Sequence, residues 1–183
     1  MQSSMERFAT RFFAMLDRRD GRLVCCNAGH PAPAILRGAH DVAELPPNSP
    51  MNGAFLDVPF ANSETHLDTE DVMLLYTDGL IEARQGEALF GESRLFDLLG
   101  RCHGLDPEGL LERVVEAVDS FAGGRLADDL ALLAVQRLDL PWSHAAEAPQ
   151  RLRRRRRPRR QVAKAAAAAS AWGIGAEQRV GSR

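Results

Sequence analysis

The chain has 183 residues, 45% of them hydrophobic, and a formal net charge of −2. That length suits one domain with a proper core. The charge is divided. Residues 1–150 carry 12 Lys+Arg against 24 Asp+Glu, and residues 151–183 carry 11 against 1. An acidic body is therefore followed by a basic tail; the body is unsuited to non-specific nucleic-acid binding and suited to collecting divalent cations. Cys25, Cys26 and Cys102 are the three cysteines. They form neither a disulfide framework nor a zinc CxxC pattern, which agrees with a reducing cytoplasm. The opening MQSSMERF has no signal-peptide core, and no run approaches the roughly 20 apolar residues of a membrane span.

In chain order, Phe8–Leu16 reads as a strand and Asp17–Gly21 as a turn ending in Asp-Gly. Arg22–Asn27 returns as its partner, and Ala34–Arg37 is a further strand. Residues 46–53, PPNSPMNG, form a loop, and Ser63–Leu67 is a strand followed by the polar turn Asp68–Asp71. Val72–Tyr76 is a short apolar run, which predicts a strand buried on both faces. Ser93–Leu99 fits a short helix with Leu95, Leu98 and Leu99 on one face. Pro107–Phe121 predicts the strongest helix, with Pro107 near its start and Gly123-Gly124 after its end. Leu130–Val135 predicts a second buried strand. Strands fill the first half and helices the second, an α+β order.

Each central strand adjoins an Asp at a turn. Asp78 and Gly79 follow Val72–Tyr76 in VMLLYTDGLIEAR, and Asp128 and Asp129 precede Leu130 in LADDLALLAV. A charge beside a core needs a cation, a donor or water. Two such strand ends can converge, and the sharp reading is a divalent-cation site. The plain reading is two ordinary turns, because Asp and Gly favour turns by themselves.

Further motifs accompany these stretches: NAGHP at Asn27–Pro31 and FGESRLFDLL at Phe90–Leu99. In this order and spacing they resemble the C-terminal half of the SpoIIE-like phosphatases, within the PPM-type metal-dependent protein serine/threonine phosphatases. The resemblance covers roughly residues 7–138. It implies part of a β-sandwich flanked by helices and a bacterial signalling phosphatase acting on a phosphoprotein. It also implies Mn²⁺ or Mg²⁺ as cofactor, two ions in a complete domain. On this resemblance Asp78 and Asp128 are metal ligands, Gly79 permits the turn beside the metal, and Asp129 orders the turn. His30 invites a general-acid role, since histidine titrates near neutrality, or is a loop imidazole bonded to backbone. Thr77 and Glu82 read as a surface hydroxyl and a solvated carboxylate. Arg84 and Arg94 read as solvated helix-surface residues.

The family's D-x-x-G-H-G segment does not occur in the sequence, and a Gly-rich P-L-G stretch is replaced by PPNSPMNGAF. The expectation is an N-terminally truncated phosphatase domain over residues 1–138, followed by a disordered tail over 139–183. Two function classes stay open: a metal-dependent phosphatase, and an inactive remnant or protein-binding module of the same fold. Arg151–Arg160 holds eight arginines. Its functional reading is a nucleic-acid or anionic-membrane contact, and its plain reading is a solvated tail without contact to the body.

Overall fold

The computed structural model describes residues 8–38, 41–55, 57–138 and 162–168. A first hairpin joins β1 (Arg11–Leu16) to β2 (Arg22–Ala28) in antiparallel register, Arg11 opposite Ala28 and Leu16 opposite Leu23. Its turn is closed by two backbone bonds, Asp17 N–H to Arg22 O and Gly21 N–H to Asp17 O, both 2.8 Å. β5 (Ser63–His66) adds to the far side of β2, completing a three-stranded sheet in the order β1-β2-β5.

A second, five-stranded sheet runs β10-β9-β6-β3-β4. It contains β3 (Ala34–Arg37), β4 (Asp41–Glu44), β6 (Val72–Tyr76), β9 (Leu130–Gln136) and β10 (Val162–Ala168). β6 lies between β3 and β9, antiparallel to both. Side chains alternate across a strand, and both faces of this sheet are covered. On one face Ile35 and Met73 pack with Leu23 and Cys25 of the first sheet and with Leu45 and Leu67. On the other, Ala34, Leu74, Tyr76, Leu130 and Leu132 pack against the helices. That double burial is why Val72–Tyr76 is continuously apolar.

The helices are α1 (Asp78–Ile81), α2 (Gly91–Leu99) and α3 (Pro107–Phe121). α3 has the limits its sequence predicts. Asp106 caps it by accepting from Gly109 N–H at 2.8 Å, Pro107 opens it, and Leu110, Leu111, Val114 and Val118 are its buried stripe. Among the described residues, helices cover the five-stranded sheet. The outer face of the three-stranded sheet exposes Phe13 and Met15 of β1.

Four features escaped the sequence. β4 is DVAE, with only two apolar residues between acids. α1 is a single turn, and β7 (Arg84–Gln85) and β8 (Ala88–Leu89) form a two-residue ladder. All are too short for a periodic signal. The fourth corrects the expectation of a tail without contacts. Val162–Ala168 pairs in parallel with β9, from Val162 opposite Leu130 to Ala168 opposite Gln136. Backbone pairing at an open sheet edge needs no particular side chains, so composition gave no warning of it. Residues 139–161 and 169–183, including Arg151–Arg160, lie outside the described residues.

Leu74 is fully buried between β6 and the helices. Leu74→Ala is expected to cost about 2–5 kcal/mol of stability, read by denaturant unfolding. A cost below about 1 kcal/mol would contradict this packing.

Candidate functional site

The antiparallel pairing of β6 with β9 sets Tyr76 opposite Leu132. The end of β6 and the start of β9 therefore share one edge of the sheet, and so do the Asp78 and Asp128 turns. Thr77 ties them together. Its N–H donates to Ala131 O at 3.1 Å. Its hydroxyl accepts from Ala131 N–H at 3.0 Å and donates to Asp129 O at 3.2 Å. A Cβ on Gly79 would lie 2.5 Å from Asp129 O, so only glycine lets the two turns touch. The carboxylates themselves are exposed. Burial therefore does not oblige either to find a cation, which corrects the premise that a charge at these strand ends abuts the core. Asp78 accepts from Gly79 N–H at 3.0 Å and Asp128 from Asp129 N–H at 2.7 Å. These bonds orient each carboxylate against its own turn. Asp129 contributes the carbonyl that Thr77 binds.

The NAGHP loop reaches the same region. Asn27 is 1% exposed and pegs the loop from inside. Its side-chain amide donates to Leu45 O at 3.0 Å, its side-chain oxygen accepts from His30 N–H at 2.9 Å, and its own N–H donates to Asn48 Oδ1 at 2.9 Å. His30 Nδ1 is 2.9 Å from Pro31 O. A carbonyl only accepts, so this bond places a proton on Nδ1. His30 is thus a loop imidazole bonded to backbone. It also lines a cleft of about 410 Å³ with Thr77, Asp78, Glu44 and Glu92. The structure gathers His30 and Asp78 there. Asp128, in the adjoining turn, is not among the lining residues.

The family described as Stage II sporulation protein E (SpoIIE) matches residues 1–138. This chain belongs to the SpoIIE family. It is 30% identical over 134 residues to protein IcfG of Synechocystis sp. (strain ATCC 27184 / PCC 6803 / Kazusa), covering 73% of this chain and 21% of that protein. The SpoIIE phosphatase domain of Bacillus subtilis (Mn presoaked) superposes with TM-score 0.56 at 17% identity, over 74% of this chain and 59% of that one. The SiaA-PP2C domain of Pseudomonas aeruginosa superposes with TM-score 0.59 at 22% identity, over 76% and 55%. These likenesses establish a PP2C-type phosphatase-domain fold. The chain spans about a fifth of its curated relative and somewhat over half of these solved domains.

A hard cation takes oxygen ligands, and Asp78 and Asp128 offer that donor type on turns brought together by the Gly79–Asp129 approach. Among the described residues no group of three His, Cys, Asp or Glu is gathered to hold a metal ion. The pair thus fits part of a coordination shell. All three cysteines are free, and none lines the cleft. Among the described residues no helix is long and apolar enough to cross a membrane.

Thr77 gave no sequence signal of its bridging role, because a threonine before Asp-Gly looks like any turn residue. Arg94 proved structural. It donates to Leu89 O at 2.8 Å and Phe90 O at 3.1 Å, and its guanidinium lies 5.1 Å from the Phe121 ring centre. Tyr76, in the core behind Thr77, carries a feature the sequence did not show. It is 2% exposed, and its hydroxyl has no hydrogen-bond partner among the described residues. Burial first, then the charges of Glu92 and Glu44, push its phenol up from 10.0 to about 12.

Two tests follow from this geometry. Gly79→Ala is expected to push the turns apart at a cost of about 1–3 kcal/mol, read by thermal unfolding; a neutral result would contradict the contact. Tyr76 is the sole tyrosine, so absorbance of the phenolate titrates it alone. Its midpoint is expected near 12 in the folded chain and near 10 when unfolded. The neutral phenol is the favoured folded form, so its contribution to stability is complete below pH 10 and is lost between pH 10 and 12. Tyr76→Phe is expected to remove that part of the pH dependence. A folded midpoint at 10 would contradict the burial.

Proposed function

We propose that Asp78 and Asp128 contribute to a Mn²⁺- or Mg²⁺-dependent site that hydrolyses phosphoserine or phosphothreonine on a signalling protein. One observation carries this reading: the β6–β9 register brings both Asp turns to one edge of the sheet, in backbone contact through Thr77, Gly79 and Asp129. Family membership and the solved phosphatase-domain relatives support it. When bound, divalent cations neutralise phosphate oxygens and make hydroxide available from water near neutral pH. The residues of the chain hold the parts in place. Thr77 and the close approach of Gly79 fix the spacing of the two turns. The cleft beside Asp78 gives room for a phosphorylated side chain. His30 presents its ring to that cleft with Nδ1 committed to Pro31.

A second reading, a non-catalytic module with the same fold, rests on the lack of a three-ligand group among the described residues. Each hard cation takes about six oxygens, so an Asp pair alone holds metal weakly and mostly through water.

The deciding assay is phosphate release from a phosphoserine peptide in excess Mn²⁺, with Asp78→Asn as control. Turnover is expected to require Mn²⁺ and to fall about a thousandfold in Asp78→Asn, equivalent to about 4 kcal/mol of lost transition-state stabilisation. Equal, near-zero rates in both chains would favour the non-catalytic module.

A further inference from the structure

We infer that two copies of this chain join through their β1 strands, antiparallel about a two-fold axis at Ala14, so that their three-stranded sheets become one continuous sheet. The first observation is the sheet order. Among the described residues β1 has β2 on one side and no strand on the other. In an antiparallel pair, alternate residues turn their backbone groups toward the partner strand. Asp17 N–H bonds Arg22 O, at the first residue of β2. By that alternation Arg11, Phe13 and Met15 also bond β2, and Phe12, Ala14 and Leu16 turn their N–H and C=O groups to the open edge. Folded proteins blunt such edges with lysine, proline or a bulge. From Phe12 to Leu16 β1 has neither charge nor proline, and its register with β2 runs without a bulge.

The second observation concerns side chains. Phe13 and Met15 are 57% and 60% exposed. In register they stand opposite Cys26 and Val24, so the apolar outer face continues from β2 to the edge. Phe12, Ala14 and Leu16 point the other way and pack, partly buried, on the core between the sheets. Both faces of β1 are therefore apolar where the edge is open, and an added strand would extend both.

The register selects a second copy as that strand. A two-fold axis makes β1 meet itself antiparallel. Centred on Ala14, Ala14 faces Ala14 and Phe12 faces Leu16 of the other copy. These are the residues whose backbone groups point outward, so each pair exchanges two hydrogen bonds. On the outer face Phe13 then meets Met15, a favourable thioether–ring contact, and Arg11 meets Asp17, an opposite-charge pair. Arg11 and Asp17 are both exposed. Centring on Phe13 would set Arg11 against Met15, and centring on Met15 would set Asp17 against Phe13. Only the Ala14 centre matches charge with charge and apolar with apolar. One strand pair is small beside the roughly 1,200 Å² that stable complexes bury, so the dimer is weak and forms at micromolar concentrations.

The test is sedimentation equilibrium of the full chain from low to high micromolar concentration, with amide exchange followed by NMR. A reversible monomer–dimer equilibrium is expected. The amides of Phe12, Ala14 and Leu16 are expected to gain protection as the dimer forms, while those of Phe13 and Met15 are protected throughout. Arg11→Glu places like charges on both sides of the axis, and so does Asp17→Lys. Each is expected to weaken its own dimer about tenfold, with an unchanged circular dichroism spectrum. Mixed, the two variants are expected to recover the native affinity, because opposite charges again face each other at both places. A chain that stays monomeric at high micromolar concentration would overturn the inference. So would a monomer with Phe12, Ala14 and Leu16 already protected, since residues 1–7 or another segment of the same chain would then cover the edge. A dimer that the mixture does not restore would place the contact elsewhere and overturn it equally.

Discussion

The arrangement of this chain depends on the antiparallel pairing of β6 with β9. A strand pair of opposite direction puts the end of one beside the start of the other, so residues far apart in sequence meet at one edge. Thr77 strengthens that meeting with side-chain bonds to both Ala131 and Asp129. Gly79 removes the Cβ that would hold the turns apart. Asp78 and Asp128 inherit their proximity from these neighbours. The exposed acids are placed by a buried, fully paired backbone. Changes in the core strands therefore reach the site through register more than through contact.

The same sheet explains why the site lies beside a cleft. β3 flanks β6 on its other side, and the loop leading into β3 is NAGHP. Asn27 spends its side chain on holding that loop from beneath. Gly29 takes a left-handed conformation, φ 75°, where a Cβ would strike Met51. His30 and Pro31 are thereby presented at the rim. Two loops from neighbouring strands and the start of α2 thus surround one space, and each is anchored in the doubly covered sheet.

The strands with long apolar runs were legible in the sequence because their environment imposes a simple rule. Val72–Tyr76 is buried on both faces, and Leu130–Val135 also forms as expected, extended by Gln136. α3 was legible to the residue, since its opening proline and the Gly-Gly pair after it are local signals. Of the candidate site, Asp78, Asp128, Gly79 and His30 stood out in the sequence, but not what ties their turns together. Thr77 acts through partners more than fifty residues away, and no local pattern marks such a role. Tyr76 reads as one more apolar position at the end of a strand. Its unpartnered hydroxyl exists only once the helices and β4 close over it. β10 was hidden for another reason. Its pairing uses backbone groups at the edge of β9, and alanine composition neither specifies nor forbids that.

The most direct test of the account is the coupling between Asp78 and Asp128 in Mn²⁺ affinity, measured on the native chain, Asp78→Asn, Asp128→Asn and the double variant. Ligands of one cation act on one binding event. The account predicts that each single change weakens Mn²⁺ binding about as much as the double change, a strongly non-additive cycle. Additive losses, or an Asp128→Asn chain that binds Mn²⁺ as the native chain does, would contradict a shared cation at the β6–β9 edge.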